Sequence, residues 1–243
     1  MTSLAPSIDL RRSGDRSLTE IDWLDSKHSF SFGQHYDVEN THFGLLLVSN
    51  DDIVAPGKGF STHPHKDMEI VTWVLRGDLE HQDSMGHAGD IYPDLAQRMT
   101  AGTGILHSEI NNRQEADVRF VQMWVVPDES RLDPGYQQVE VGTAMAKGGL
   151  VPIASGREKD ASILIRQKHA TLWAGRLKPS ERVTVPTAPF VHVYVAEGDI
   201  ELEGAGELHS GDAARVSYHA GLSLTAKSEG AEVLIWEMHA ELG

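Results

Sequence analysis

The sequence predicts an all-β protein made of two successive barrel domains, and three observations carry that expectation. Apolar residues seldom recur at helical spacing. Short alternating runs separated by Gly-rich turns dominate instead, the pattern of a β-sandwich or barrel. The chain also repeats itself. "WVLRGDLEHQD" from Trp73 matches "YVAEGDIELEG" from Tyr194, aligning Val74 with Val195, Gly77 with Gly198, Asp78 with Asp199 and Glu80 with Glu201. "HAGD" (87–90) meets "HSGD" (209–212) in nearly the same register half a chain later. Chance recurrence of a Gly-Asp hairpin turn is the alternative, and the half-chain offset, which suits a domain of ~100–150 residues, favours duplication. The 243 residues then divide into an N-terminal domain (1–139), a connection (140–152, within "EVGTAMAKGGLVP") and a C-terminal domain (153–243).

The elements follow in order. A short helical turn is expected around Leu18 to Asp25. In "SFSF", Phe30 and Phe32 share strand parity with His28 and can wall a pocket or fill the core. "EIVTWVL" and "DLEHQD" flank Arg76-Gly77-Asp78, a plausible hairpin, and "RFVQMWVV" (119–126) reads as a further strand. Arg98 and Lys66 are expected in solvent, and Met99 in the core.

Composition narrows the chemistry. The net charge of −15 repels phosphate backbones and anionic lipid, so direct nucleic-acid or membrane-surface binding is not expected. No run approaches the ~18 apolar residues of a membrane span, and no secretory signal pattern is present at the start. With no cysteine, thiol nucleophiles and thiolate metal sites are excluded, which fits a reducing cytoplasm. Any metal must be held by His and carboxylate.

The histidines supply such a set. His63 and His65 in "GFSTHPHKDMEIVTW" are i and i+2, and so are His107 and Glu109 in "AGTGILHSEIN". Residues at i and i+2 of a strand face one side. Two strands offering two inward groups each would make a three-histidine, one-carboxylate site suited to a divalent transition metal, with coordination places left for substrate. Each pair alone is a weak signal; together in an all-β pattern they are specific. Trp73 and Glu69 share the parity of His63 and His65. His81 and Asp83 would form either a pair behind the site or a plain cross-strand hydrogen bond. Shifted by the repeat offset, the ligand positions become Thr184, Pro186, Glu229 and Ala231, so the C-terminal domain is expected to be metal-free.

Gly57-x5-His63-x-His65-x3-Glu69 resembles the first cupin motif. "HPHKDMEIVTWVLRG", "EHQDSMG", "MTAGTGILHSE" and "WLDSKHSFSFGQHYD" resemble the pirin family, and most closely its bacterial quercetin 2,3-dioxygenase-like branch. The likeness is dense from Trp23 to Pro127. One departure is that "PDLAQRMTAG" replaces the Gly-Pro turn of the second cupin motif. The resemblance implies a bicupin of two tandem jelly-roll barrels. It implies one metal in the N-terminal barrel, held by His63, His65, His107 and Glu109, with iron(II) first and nickel, cobalt, manganese, copper or zinc compatible. It gives Glu69 the task of orienting a ligand from behind, since the usual pirin site does not use that carboxylate directly. The activity implied is cleavage of a flavonol with dioxygen and loss of carbon monoxide, with Glu109 also able to accept the substrate proton. The alternative is a metal- or redox-sensing pirin acting on a protein partner such as a transcription factor or metabolic enzyme.

Overall fold

The structure is a computed structural model that describes residues 5–242. Two barrels form a bicupin, as the repeat and the resemblance led us to expect. In the N-terminal barrel a seven-stranded sheet runs in the order Gly135–Glu140, Leu95–Thr100, Glu69–Arg76, Val118–Val125, Leu46–Val54, Leu24–His28 and Ser17–Ile21. A four-stranded sheet of order Gly59–His65, Ile105–Ile110, Leu79–Asp83 and Ala88–Ile91 completes it. Val74, Leu95 and Phe120 of the large sheet cluster with Leu79 and Ile91 of the small one. The C-terminal barrel is a single nine-stranded sheet around Val193, Val195, Ile200, Leu208, Val216, Val233 and Ile235.

The large sheets have both faces buried. Alternate residues leave the barrel interiors and meet in a seam where Val71, Trp73, Val121 and Met123 cluster with Leu172, Tyr194, Leu234 and Trp236. Burying side chains of ~150–250 Å² such as Trp73 and Trp236 gives this seam the character of a core. Trp73 Nε1 donates to Glu232 Oε1 across it at 2.7 Å, and Tyr194 Oη to Asp51 Oδ2 at 2.5 Å.

The repeated glycines have a steric cause. Gly77 and Gly198 have φ of 80° and 74°, and a Cβ at either would strike the backbone of the strand beside it, near Val118 and Ala231 respectively.

Some expectations are corrected. The stretch Leu18 to Asp25 is a hairpin, Ser17–Ile21 paired with Leu24–His28, and not a helical turn. Its apolar spacing imitates a helix, but Leu18 and Ile21 are exposed. Ser7–Arg11 does not join the N-terminal barrel; it pairs with Ala213–Ser217 at the edge of the C-terminal sheet. Arg98 is buried. Its Nε donates to the Leu164 carbonyl at 3.0 Å and its Nη1 to Thr100 Oγ1 at 2.9 Å. Lys66 is exposed and Met99 buried, as expected. The turn lacking Gly-Pro is closed by Gly104 N–H on the Ala101 carbonyl at 3.0 Å. The connection carries Gly142–Met145, the one α-helix among the described residues. No helix among them is long and apolar enough to cross a membrane.

Candidate metal centre

Strand register assembles the histidines. Ile105–Ile110 lies antiparallel between Gly59–His65 and Leu79–Asp83, so His107 sits opposite His63 on one side and Asp83 on the other, while Glu109 opposes His81. A bulge between His107 and Glu109 shifts the pairing with Gly59–His65. Gly59 permits the close approach there, because a Cβ would collide with the Glu109 carbonyl.

Ring centroids are 4.5 Å apart for His63 and His107, 4.8 Å for His63 and His65, and 4.9 Å for His65 and His107. One nitrogen from each lies within 4.8 Å of the others. A second group of the same tightness joins His81, His107 and Glu109, sharing His107. Burial first, then the neighbouring imidazoles, push His65 and His107 down to about 3, so both are neutral at physiological pH. Their Nε2 atoms are buried with no hydrogen-bond partner. A buried polar atom left unpaired costs ~1–3 kcal/mol, and a cation receiving these lone pairs removes that cost. Three imidazole nitrogens and a carboxylate fit a divalent first-row metal.

The surroundings aim the same lone pairs. His63 Nδ1 is 2.8 Å from the Ser61 carbonyl, so it carries the proton and leaves Nε2 free. His107 Nδ1 is 3.4 Å from His81 Nδ1, and His81 Nε2 is 3.3 Å from Asp83 Oδ2. If His107 Nε2 is to stay unprotonated, its Nδ1–H donates to His81, whose Nε2–H donates to Asp83. Burial opposes ionisation of Asp83, but hydrogen bonds from His87, His81 and the Met85 backbone outweigh it and hold the carboxyl below its usual range. Burial raises Glu109, against the donors of Gln122. Gln122 Nε2 lies 2.9 Å from both Glu109 oxygens, and Gln122 Oε1 accepts from Trp124 Nε1 at 3.1 Å.

A cavity of about 190 Å³ opens on His63, His65 and Glu109. Phe32, Phe60, Leu24 and Trp124 give it apolar walls; Ser26, His28, Asn50 and Asp52 give it a polar one.

Of the four expected ligand positions, His63, His65 and His107 form one group, and Glu109 adjoins it, grouped with His107 and lining the same cavity as His63 and His65. The accessory positions divide. Phe32 is on the cavity wall, stacked 5.0 Å from the His28 ring and edge-on to Trp124 at 5.7 Å. Phe30 is in the seam, under the Arg215 guanidinium at 4.5 Å. Trp73 is also in the seam and lines no part of the cavity. Glu69 is fully buried, with Oε2 accepting the Arg166 N–H at 3.0 Å, and burial raises its pKa. It shares the seam-facing parity of Val71 and Trp73, so it does not stand behind a histidine. Parity fails from His65 to Glu69 because the chain changes sheets through a turn with Asp67 at φ 47°. Sequence reasoning missed Gln122, Trp124, Asn50 and Asp52. The available signal was a glutamine on the same parity as Phe120 and Trp124. On the C-terminal barrel, Asp199, Glu207 and His209 gather at the surface, with His209 Nδ1 2.9 Å from Asp199 Oδ1.

Two β-barrels in tandem, with an N-terminal His/Glu centre opening on a partly apolar cavity, define a bicupin with a metal-type site in its first barrel. The chain matches the pirin family over residues 11–125 and the quercetinase C-terminal cupin domain over residues 152–238. A Mycobacterium tuberculosis protein whose name, quercetin 2,3-dioxygenase, is provisional is 54% identical over 99% of this chain and 98% of its own. A quercetin 2,3-dioxygenase of Escherichia coli is 34% identical over 95% of this chain and 98% of its own. The crystal structure of the E. coli bacterial pirin YhhW in complex with nickel(II) superposes with a TM-score of 0.88 at 33% identity, covering 96% of this chain and all of that one. This chain belongs to the pirin family.

Proposed function

We propose that this chain is a metal-dependent dioxygenase that cleaves flavonols such as quercetin. The observation that carries the reading is the pair of buried, neutral, unpartnered Nε2 atoms on His65 and His107, grouped with His63 and bordering a partly apolar cavity. His63, His65, His107 and Glu109 would hold the metal, with iron(II) or nickel(II) suited to the donor set. When bound there, a divalent metal supplies a Lewis acid that gathers the flavonol's 3-hydroxyl and 4-carbonyl oxygens and lowers the hydroxyl pKa. Glu109 accepts the hydroxyl proton, its two oxygens held in place by Gln122. Phe32, Phe60 and Trp124 flank the planar rings and keep water from them. The flavonol anion reacts with dioxygen, the ring opens, and carbon monoxide leaves.

The test is a flavonol screen of metal-loaded protein with and without air. Quercetin's absorbance should shift on anaerobic binding and decay only once dioxygen enters, and a flavone lacking the 3-hydroxyl should remain untouched. Metal-loaded protein that binds its metal fully and leaves every flavonol intact in air would replace this reading with that of a binding protein.

A further inference from the structure

The cavity has a polar wall beside the metal centre, made of residues that the centre does not use. Ser26 and His28 on Leu24–His28 lie directly opposite Asp52 and Asn50 on Leu46–Val54, and all four line the cavity. Asp52 is 4% exposed, and its hydrogen bond comes from Ser26 Oγ, to Oδ1. Among the described residues no cation pairs with it. The contrast is its neighbour Asp51, which faces the seam, is bonded by both Nε and Nη2 of Arg119 at 2.9 and 2.8 Å, and receives Tyr194 Oη. The two neighbouring carboxylates face opposite sides of the sheet, and the one on the cavity has no ion pair among the described residues. His28 does not supply the missing charge. Burial lowers its pKa, and its Nε2 is 2.9 Å from Thr19 Oγ1. Burial likewise pushes Asp52 up to about 7, against the one hydroxyl donor of Ser26 and with the nearby carboxylates of Asp51 and Glu109 adding to the rise.

An acceptor of this kind, walled by Phe32 and Leu24, suits a ligand hydrogen-bond donor carried on an aromatic ring. Resting on the flavonol reading of the same cavity, we propose that Asp52, oriented by Ser26, is a specificity-determining residue that accepts a hydrogen bond from a phenolic hydroxyl of the substrate other than the one bound at the histidine centre. The site would thereby select polyhydroxylated flavonols over unsubstituted ones. A site built to hydrogen-bond a hydroxyl discriminates strongly against the analogue lacking it, because its own polar group is then left unpaired.

The experiment measures anaerobic binding of quercetin and of 3-hydroxyflavone to nickel-loaded wild type, Asp52→Ala and Asp52→Asn, read by quenching of tryptophan fluorescence and by the ligand's absorbance shift. Metal content is measured in parallel. Wild type should favour quercetin. Asp52→Ala should weaken quercetin binding by about 10- to 100-fold, because the phenolic hydroxyl is then buried without its partner. The same variant should leave 3-hydroxyflavone within about two-fold and keep full metal content. Asp52→Asn, which retains a carbonyl acceptor and the shape of the side chain, should fall between and guards against a folding defect in the alanine variant. An unchanged quercetin to 3-hydroxyflavone ratio in both variants overturns the assignment. So does a ratio that changes only together with metal loss. The reading of the activity fails separately: a ratio altered as stated with no flavonol consumed in air leaves the subsite standing and removes the dioxygenase, whereas binding of neither flavonol by wild type removes both.

Discussion

One row of side chains crosses each barrel interior at the corresponding place, and the two rows are made of different chemistry. In the N-terminal barrel Thr72, Gln122 and Asn50 stand side by side across three strands. In the C-terminal barrel the equivalent row is Val193, Ile235 and Trp173. Backbone pairing is the same, antiparallel and in register, so the fold tolerates either lining. Apolar side chains fill the second barrel, and the one polar atom of its row, Trp173 Nε1, donates to Glu237 Oε2 at 2.9 Å. Polar ones oblige the first barrel to satisfy every donor and acceptor, and it stops short: Thr72 Oγ1, His65 Nε2 and His107 Nε2 are left unpartnered. One barrel is thus filled as a core while the other keeps a hollow, under-satisfied interior able to host a ligand.

The largest expected effect breaks this asymmetry at its centre. His107→Ala should lower metal affinity by more than the roughly 10–100-fold that loss of a supporting residue costs. His209→Ala, in the exposed C-terminal trio, should leave one metal per chain. Elemental analysis of the purified variants decides; two tightly bound metals in wild type would show that the barrels are not so different.

A second experiment sharpens the comparison through pH. Folded Asp52 keeps its proton to about 7, whereas the unfolded carboxyl releases it near ~3.9. Between those values the unfolded chain binds fewer protons, so stability falls as pH rises through the window. Asp52→Asn should remove that fall, gaining on the order of 2–4 kcal/mol on wild type between pH 4 and 8. Denaturant melts of metal-free protein across that range would read it, and parallel profiles for the two proteins would contradict it.

Making the first row resemble the second is a milder change. Gln122→Leu removes the donor that serves both Glu109 oxygens, so metal affinity should drop about 10-fold or more. Metal-free stability should fall by ~1–3 kcal/mol, since Glu109 stays buried without a donor. Calorimetric titration and thermal melts would measure the two together. The smallest effect is expected at Glu69→Gln, which keeps an acceptor for the Arg166 N–H and lies on the seam face. Metal affinity should stay within about two-fold; loss comparable with that of Glu109→Gln would place Glu69 at the metal.

The candidate ligand set was legible because it needs only local rules. His63 with His65, and His107 with Glu109, are each set on one side by a strand's period of two, and the spacing resembles a known motif. What could not be read was which side of a strand a polar residue faces when both sides are buried. Gln122, Asn50, Asp52 and Arg98 look like solvent-facing alternates in their own strands, yet the first three face the cavity and Arg98 is buried with its Nε on the Leu164 carbonyl. Glu69, Trp73 and Phe30 were placed by extending parity beyond the strand that defined it. Phe30 lies past the end of Leu24–His28, where the alternation no longer holds. The C-terminal pairing of Ser7–Arg11 was invisible for another reason, since nothing in a short alternating strand names a partner so distant in sequence.

That strand has a consequence for how the chain matures on the ribosome. Ser7 pairs with Ser217, and Arg12 bonds Asp212, which is 200 residues away. At roughly 5–20 residues per second of synthesis, this strand waits on the order of 10–40 s for its neighbour. The N-terminal barrel can collapse in that interval, but its leading segment remains an unpaired β-edge until the far barrel has been made. Arg11 and Arg12, the one adjacent pair of basic residues in an otherwise acidic chain, sit on and beside that edge. Clustered charge there discourages strand-to-strand association between nascent copies.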